Sequence, residues 1–245
     1  MAAGASPLEQ FAIHRVVDLR IGGLDVSITN SAIAMMAAVV LSTLFLAVGI
    51  RRGALVPGRW QSMVEMAYEF VANMVRENAG SAGMRYFPFI FTLFIFILFC
   101  NMLGLVPYNF TPTSHIIVTF AMAAFVFIGV TIIAFFKHGL HFFSFFAPKG
   151  VPLWLMPILV PIEVISYLIR PLTLSVRLFA NMLAGHIMLK VFAGFVIMVG
   201  IFFGWLPLIF TSAFFALEVL VACLQAYVFA ILTCLYLNDA LHLHH

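Results

Sequence analysis

The sequence predicts an all-α integral membrane protein with about five membrane helices and one amphipathic interfacial helix, its last two spans forming a long, strongly tilted hairpin. Three observations carry that expectation. Of 245 residues, 64% are apolar and only 9% charged, against roughly 25% charged in an ordinary soluble domain. Several uncharged runs are long enough, at about 1.5 Å per residue, to cross a bilayer core of about 30 Å. The few polar residues left inside such runs recur at helical spacing. Twelve basic and nine acidic side chains cannot coat a globule of this size against water. A soluble enzyme, a nucleic-acid binder and a disordered chain are therefore excluded. A net charge of +3 is too small to call for a polyanionic partner. Cys100, Cys223 and Cys234 all sit in apolar runs and form no CxxC pair, so they read as buried thiols rather than a disulfide framework or a zinc site.

The elements follow in chain order. Residues 1–29 form a polar N-terminal arm that carries Glu9, Arg15, Asp18, Arg20 and Asp25, with a short helix expected around Pro7–Arg15. The first apolar run begins near Asn30, late for a secretory signal, and no small-residue cleavage site is evident. The remainder, 30–245, reads as a single membrane domain whose first span is 30–50. Arg51, Arg52 and Arg59 then surround a Pro57-Gly58 break. Segment 59–80 is two-sided. Trp60, Met63, Val64, Ala67, Val71, Met74 and Val75 share one helical face, while Gln61, Glu65, Glu69, Asn73 and Arg76 share the other. Such a helix suits the membrane surface; the same stripe would also serve to dock on a soluble partner.

From Tyr86 to Phe136 there is no Asp, Glu, Lys or Arg. A polar break at 108–115 divides this run into spans at 86–106 and 116–136, a helical hairpin. Lys137, His138, His141 and Lys149 mark the next loop. Pro152, Pro157 and Pro161 follow, so one straight helix is not expected there. Two long stretches remain, 153–195 and 207–238, separated by the Gly200–Pro207 region. The first exceeds the 20 or so residues of a perpendicular crossing, which favours tilt. The basic clusters at 51–59 and 137–149 fall on one side if 86–136 is a hairpin. That side is cytoplasmic by the positive-inside rule, with the N-terminus outside and the C-terminus inside. No internal repeat of fixed period is present, so an inverted-repeat transporter is not supported.

The informative feature is a polar stripe in the fifth membrane segment. Glu163, Arg170 and Arg177 lie within about 40° of one another on a helix, and Ser166 and Asn181 join that face. Charges in a span cost on the order of 2.5–3.5 kcal/mol each and normally face protein or a water-filled path. In the sixth segment Glu218 and Gln225 share a face, with Tyr227 nearby. In an antiparallel hairpin, Arg177 with Gln225 and His186 with Glu218 both centre on the Gly200–Gly204 break, so one register serves both pairs. His186 is nine residues beyond Arg177, half a turn out of phase, which suits two separate hydrophilic pockets better than one pore.

The run Ser175-Val176-Arg177-Leu178-Phe179-Ala180-Asn181-Met182-Leu183-Ala184-Gly185-His186 closely resembles the signature of subunit a of the F-type ATP synthase. Asn101-Met102-Leu103-Gly104-Leu105-Val106-Pro107-Tyr108, continuing through Phe110-Thr111-Pro112-Thr113-Ser114, is similar to that family's other characteristic stretch. The resemblance runs from about 59 to 238. It places the family's indispensable arginine on Arg177, its asparagine on Asn181, its glutamine on Gln225 and its preceding acid on Glu163. Many bacterial members carry an acid where His186 stands and a histidine where Glu218 stands. The exchange here is as in mitochondrial-like members and points to a bacterium related to the mitochondrial lineage.

What the resemblance implies is a stator for a rotating ring of carboxylate-bearing subunits, the c-ring, working with peripheral-stalk b-type subunits and membrane lipid in a bacterial inner membrane. No cofactor, metal or nucleic acid enters, and the chain itself catalyses no covalent step. Arg177, always protonated, stabilises a passing ring carboxylate in its ionised form and separates two offset aqueous half-channels. His186 and Glu218 are expected in the proton-entry half-channel. Asn109, Thr111, Thr113, Ser114 and His115 line its mouth, and Glu163, Ser166, Arg170 and Thr173 lie toward the cytoplasmic exit. Gln225 is expected to orient the Arg177 guanidinium.

Other readings stay beside this one. Arg177 could be a structural cation paired with Glu163 or Glu218. The Asn101–Pro107 run reads as packing and helix termination before chemistry. His138 and His141 have metal-like spacing but no carboxylate or thiol nearby. An ion-coupled carrier needs repeated halves, a haem or quinone protein needs facing histidines, and an intramembrane protease needs GxSxG, HExxH or paired aspartates; none of these is found.

Overall fold

The computed structural model describes residues 15–18, 20–21, 24–25, 27–51, 53, 56–106, 110–139, 155–203 and 205–241. The expected helix around Pro7–Arg15, Asn109, most of the 137–149 loop and the terminal histidines fall outside them, wholly or nearly so. The N-terminal arm contributes short strands. β1 (Arg15–Val17) pairs antiparallel with β4 (Ile28–Thr29), and β2 (Arg20–Ile21) with β3 (Leu24–Asp25). Runs of two or three residues are too short to show an alternating pattern, so the sequence carried no strand signal.

Six helices follow. In α1 (Asn30–Ile50) the Thr29 side chain caps the start by accepting from the Ala32 amide at 3.3 Å. The two-sided segment is α2 (Arg59–Gly83). Its helical backbone is interrupted at Gly80, where φ is +64° and a residue with a Cβ would be strained. The apolar stripe of α2 is not left bare: Val64, Val71, Met74 and Val75 are buried, and the helix packs against α6, α1 and α3. A 3-10 turn (Met84–Tyr86) leads into α3 (Phe87–Gly104), and a second (Pro112–Ser114) precedes α4 (Ile116–His138). Gly139, at φ +57°, closes α4.

The last two helices are the longest. α5 runs Met156–Phe203 and α6 runs Trp205–Leu241. The helical assignment of α5 continues through Pro161 and Pro171. Pro157 occupies the first turn, where its missing N–H leaves no bond unmade, and Pro161 removes only one bond of the next. With 48 residues, α5 is about 72 Å long, more than twice the thickness of a bilayer core.

Five of the described helical stretches are long and apolar enough to cross a membrane, and the protein is an all-α integral membrane protein. α6 is its centre, packed against α2, α3, α4 and α5. Its buried face reads Ala222, Ala226, Phe229, Ala230, Thr233, Cys234 and Leu237, and the small residues let neighbouring helices approach closely. Cys100 and Cys234 are buried, but Cys223 is exposed. The expectation of three buried thiols fails there because residue 223 falls between the inward positions Ala222 and Ala226, on the outer side of α6.

Candidate functional site

Helical phase sorts the polar residues of α5 into two faces. Leu174, Ser175, Leu178, Met182 and His186 recur every three or four residues and are buried against the body of the protein. Ser166, Thr173 and Arg177 are exposed, and Glu163, Arg170 and Asn181 are half-buried. A stripe of charge and hydroxyl therefore looks outward from a membrane segment. Among the described residues Arg177 makes no hydrogen bond or salt bridge; the phenol of Tyr236 lies within its electrostatic reach.

The inward face carries the second cluster. Nδ1 of His186 is hydrogen-bonded to Oε1 of Glu218. Nε2 of His186 and the Thr111 hydroxyl share a hydrogen bond of 2.6 Å. Both partners are deep, His186 7% and Glu218 5% exposed. Two glycines make the room. A Cβ on Gly185 would stand 2.7 Å from Glu218 Oε1, and one on Gly104 would stand 2.4 Å from the Thr111 methyl. The Thr111 hydroxyl also donates to the Gly104 carbonyl at 3.3 Å, an oxygen in the last turn of α3. Four separate segments thus converge on one imidazole.

Among the described residues the second oxygen of Glu218 is buried without a partner, as are Thr113 Oγ1, His115 Nε2 and Asn101 Oδ1. Buried polar atoms in this condition are places where ordered water completes the bonding. Ser114 donates to the Thr111 carbonyl at 2.7 Å, and His115 stacks on Phe110 at 5.0 Å. Burial disfavours the charged ring and pulls the pKa of His115 below its ordinary 6.5.

Of the residues singled out by sequence, the structure joins His186, Glu218 and Thr111, with Ser114 and His115 beside them. Gln225 is buried, 4% exposed, and makes no hydrogen bond to Arg177. Tyr227 packs its ring against Phe70 of α2, 5.6 Å between centroids. Arg170 is drawn into a contact the sequence reading missed. Its guanidinium donates to Asp239 at 3.0 Å and lies over the rings of Tyr167 and Tyr236. Asp239 sits one residue beyond the expected end of its segment, and nothing local marks its partner. Asn101, read as packing, donates to the Ala222 carbonyl at 3.2 Å and ties α3 to α6. Among the described residues no group of three potential metal ligands is found.

Long apolar helices carrying these buried and outward polar clusters define a multi-pass membrane protein with ionisable groups held at depth. Residues 31–238 match the family model described as ATP synthase A chain. The chain is 59% identical to ATP synthase subunit a of Parvibaculum lavamentivorans, covering 98% of this chain and 94% of that one. It is 58% identical to subunit a of Mesorhizobium japonicum (98% and 97% covered) and 54% identical to that of Pelagibacter ubique (98% and 99% covered). The chain belongs to the ATP synthase A chain family, and with it to the proton-translocating F0 sector of a bacterial membrane.

Proposed function

We propose that the chain is the stationary, non-catalytic half of a rotary proton path. Two offset aqueous half-channels deliver protons to, and take them from, the carboxylates of a rotating c-ring, with peripheral-stalk b-type subunits holding the chain still. The outward, unpaired Arg177 carries this reading. A cation in a membrane segment demands a protein or water-lined neighbour, and a passing carboxylate is the chemistry that satisfies a guanidinium. Arg177 stabilises that carboxylate in its ionised form as it passes. A protonated ring carboxyl travels cheaply through lipid and an ionised one does not, so the guanidinium divides loading from unloading. Each proton falling through about 100 mV supplies about 2.3 kcal/mol, so several must pass per ATP.

On this reading the His186–Glu218 pair and the Thr111–His115 turn belong to the entry half-channel, with Asn109 at its mouth. Glu163, Ser166, Arg170 and Thr173 lie toward the exit, and Asn181 and Gln225 flank Arg177. The N-terminus is outside and the C-terminus cytoplasmic in the inner membrane, with 59–80 lying in the membrane surface and 153–195 and 207–238 tilted around the ring. The length of α5 and the basic residues Arg51, Arg59 and Lys137 support that placement.

Arg177→Ala in the assembled complex is expected to abolish ATP-driven proton pumping in membrane vesicles; coupled pumping at the parental rate would end the proposal. Glu218→Gln is expected to slow proton entry with assembly intact, and an unchanged rate would take Glu218 out of the path.

A further inference from the structure

The hydroxyl of Thr111 has one proton and two neighbours. The Gly104 carbonyl, 3.3 Å away, can only accept. It belongs to the last turn of α3, where helix carbonyls take donors from outside the helix. If the hydroxyl proton goes to that carbonyl, the Thr111 oxygen must accept from His186, whose Nε2 is 2.6 Å away. Nε2 then bears hydrogen, and Nδ1 of the neutral ring is left as a bare lone pair facing Glu218.

We propose that Thr111 is a positioning residue that fixes the Nε2–H form of His186, so that Nδ1 accepts the proton of Glu218. This rests on the entry half-channel reading above. The step balances simply. The O–H bond of a protonated Glu218 breaks at Oε1, a bond forms between that proton and His186 Nδ1, and the products are a carboxylate and an imidazolium. The imidazolium donates from both nitrogens, to Glu218 and to Thr111, so its second N–H is already satisfied. A carbonyl has no proton to exchange, which makes Thr111 a dead end for conduction. Protons reach and leave the pair through the other side of Glu218, where Oε2 is buried with no partner among the described residues. The opposite tautomer would turn Nδ1–H toward Glu218 and leave the ring unable to take its proton.

Among the described residues, four charged or titratable groups bear on the ring. Glu218 faces it from α6, Lys190 stands one turn along α5, His115 lies beyond Thr111 on the same turn, and Arg177 occupies the opposite face of α5. Thr111 itself does not titrate, so a change at this position alters the pH response only through the imidazole it holds.

The test compares Thr111→Val, which keeps the shape and removes the hydroxyl, with Thr111→Ser, which keeps the hydroxyl. Passive proton conduction is measured against pH in vesicles containing the full complex, with assembly scored by recovery of the intact complex. Thr111→Val is expected to assemble, conduct about tenfold more slowly at neutral pH, the equivalent of one lost charge-assisted hydrogen bond, and reach half-maximal rate at lower pH, because the charged ring has lost an acceptor. Thr111→Ser is expected to restore the rate to within about twofold and the pH midpoint fully. Parental behaviour in Thr111→Val, or equal loss in both variants, overturns the proposal. A second measurement is independent of conduction. In the unsubstituted complex labelled with ¹⁵N-histidine, with His186→Gln used for assignment, a neutral His186 is expected to carry its hydrogen on Nε2. A neutral ring protonated at Nδ1 overturns the assignment whatever the variants do. Unchanged conduction in Glu218→Gln would remove the pair from the path and leave this spectroscopic arm to decide the tautomer alone.

Discussion

At the scale of single residues, the pairing of His186 with Glu218 was legible because two long apolar stretches about a glycine-rich break make a hairpin, and a hairpin has a midpoint. The phase of Arg177 was legible for a similar reason, since nine residues turn a helix by half a revolution. The Thr111 hydroxyl was recognised only as a channel-lining group. It reaches His186 across 75 positions of chain by way of a turn, and no spacing rule spans that gap. His115 yields a prediction at this scale. Its folded pKa lies below its ordinary 6.5 because the ring is desolvated. The unfolded chain therefore binds the proton first as pH falls, and stability drops as pH descends from about 6.5 through the depressed value. His115→Gln is expected to shrink the fall in thermal midpoint between pH 7.5 and 5.5 for the detergent-solubilised chain. A difference as large as in the parent would show that His115 does not contribute to acid sensitivity.

At the scale of elements, α1, α3, α4, α5 and α6 coincide with long apolar runs, and of the apolar stripe on α2 Val64, Val71, Met74 and Val75 are buried while Trp60 and Met63 are exposed. The cover of α2, formed by α6, α1 and α3, could not be read from its own residues, because a stripe that suits lipid suits another helix equally. Pro161 and Pro171 lie inside α5, so a proline in the sequence does not by itself mark where a helix ends. The end of α6 is held by contacts without a sequence signature. Arg170 binds Asp239, Lys137 donates to the Leu241 carbonyl at 2.8 Å, and His138 approaches the Ala240 carbonyl at 3.1 Å. The Arg170–Asp239 pair is partly exposed, with side chains 26% and 39% accessible, so it contributes roughly 0.5–1 kcal/mol. Asp239→Asn is expected to lower the thermal midpoint by about 1–4 °C, read by scanning the same detergent-solubilised chain. An unchanged midpoint would mean that the pair is neutral for stability.

At the scale of the molecule, composition alone defined the class, because so few charges leave no soluble alternative. The arrangement of helices around α6 was not legible, since it depends on where small residues such as Ala222, Ala226 and Ala230 permit close approach. The cysteines offer a check on the whole packing. Cys223 is exposed while Cys100 and Cys234 are buried. A membrane-permeant maleimide is expected to label one thiol in the folded chain and three after denaturation. Labelling of Cys100 or Cys234 before unfolding would contradict the packing of α3 and α6.

The convergence of four segments on one imidazole also bears on how the protein is made. Gly104 closes α3, Thr111 sits on the turn that follows, Gly185 and His186 belong to α5, and Glu218 comes from α6, which is synthesised after all three. Until that helix has been inserted, the histidine waits in the bilayer without its acid. A chain cut before residue 218 keeps the Thr111 contact of His186 and loses its carboxylate.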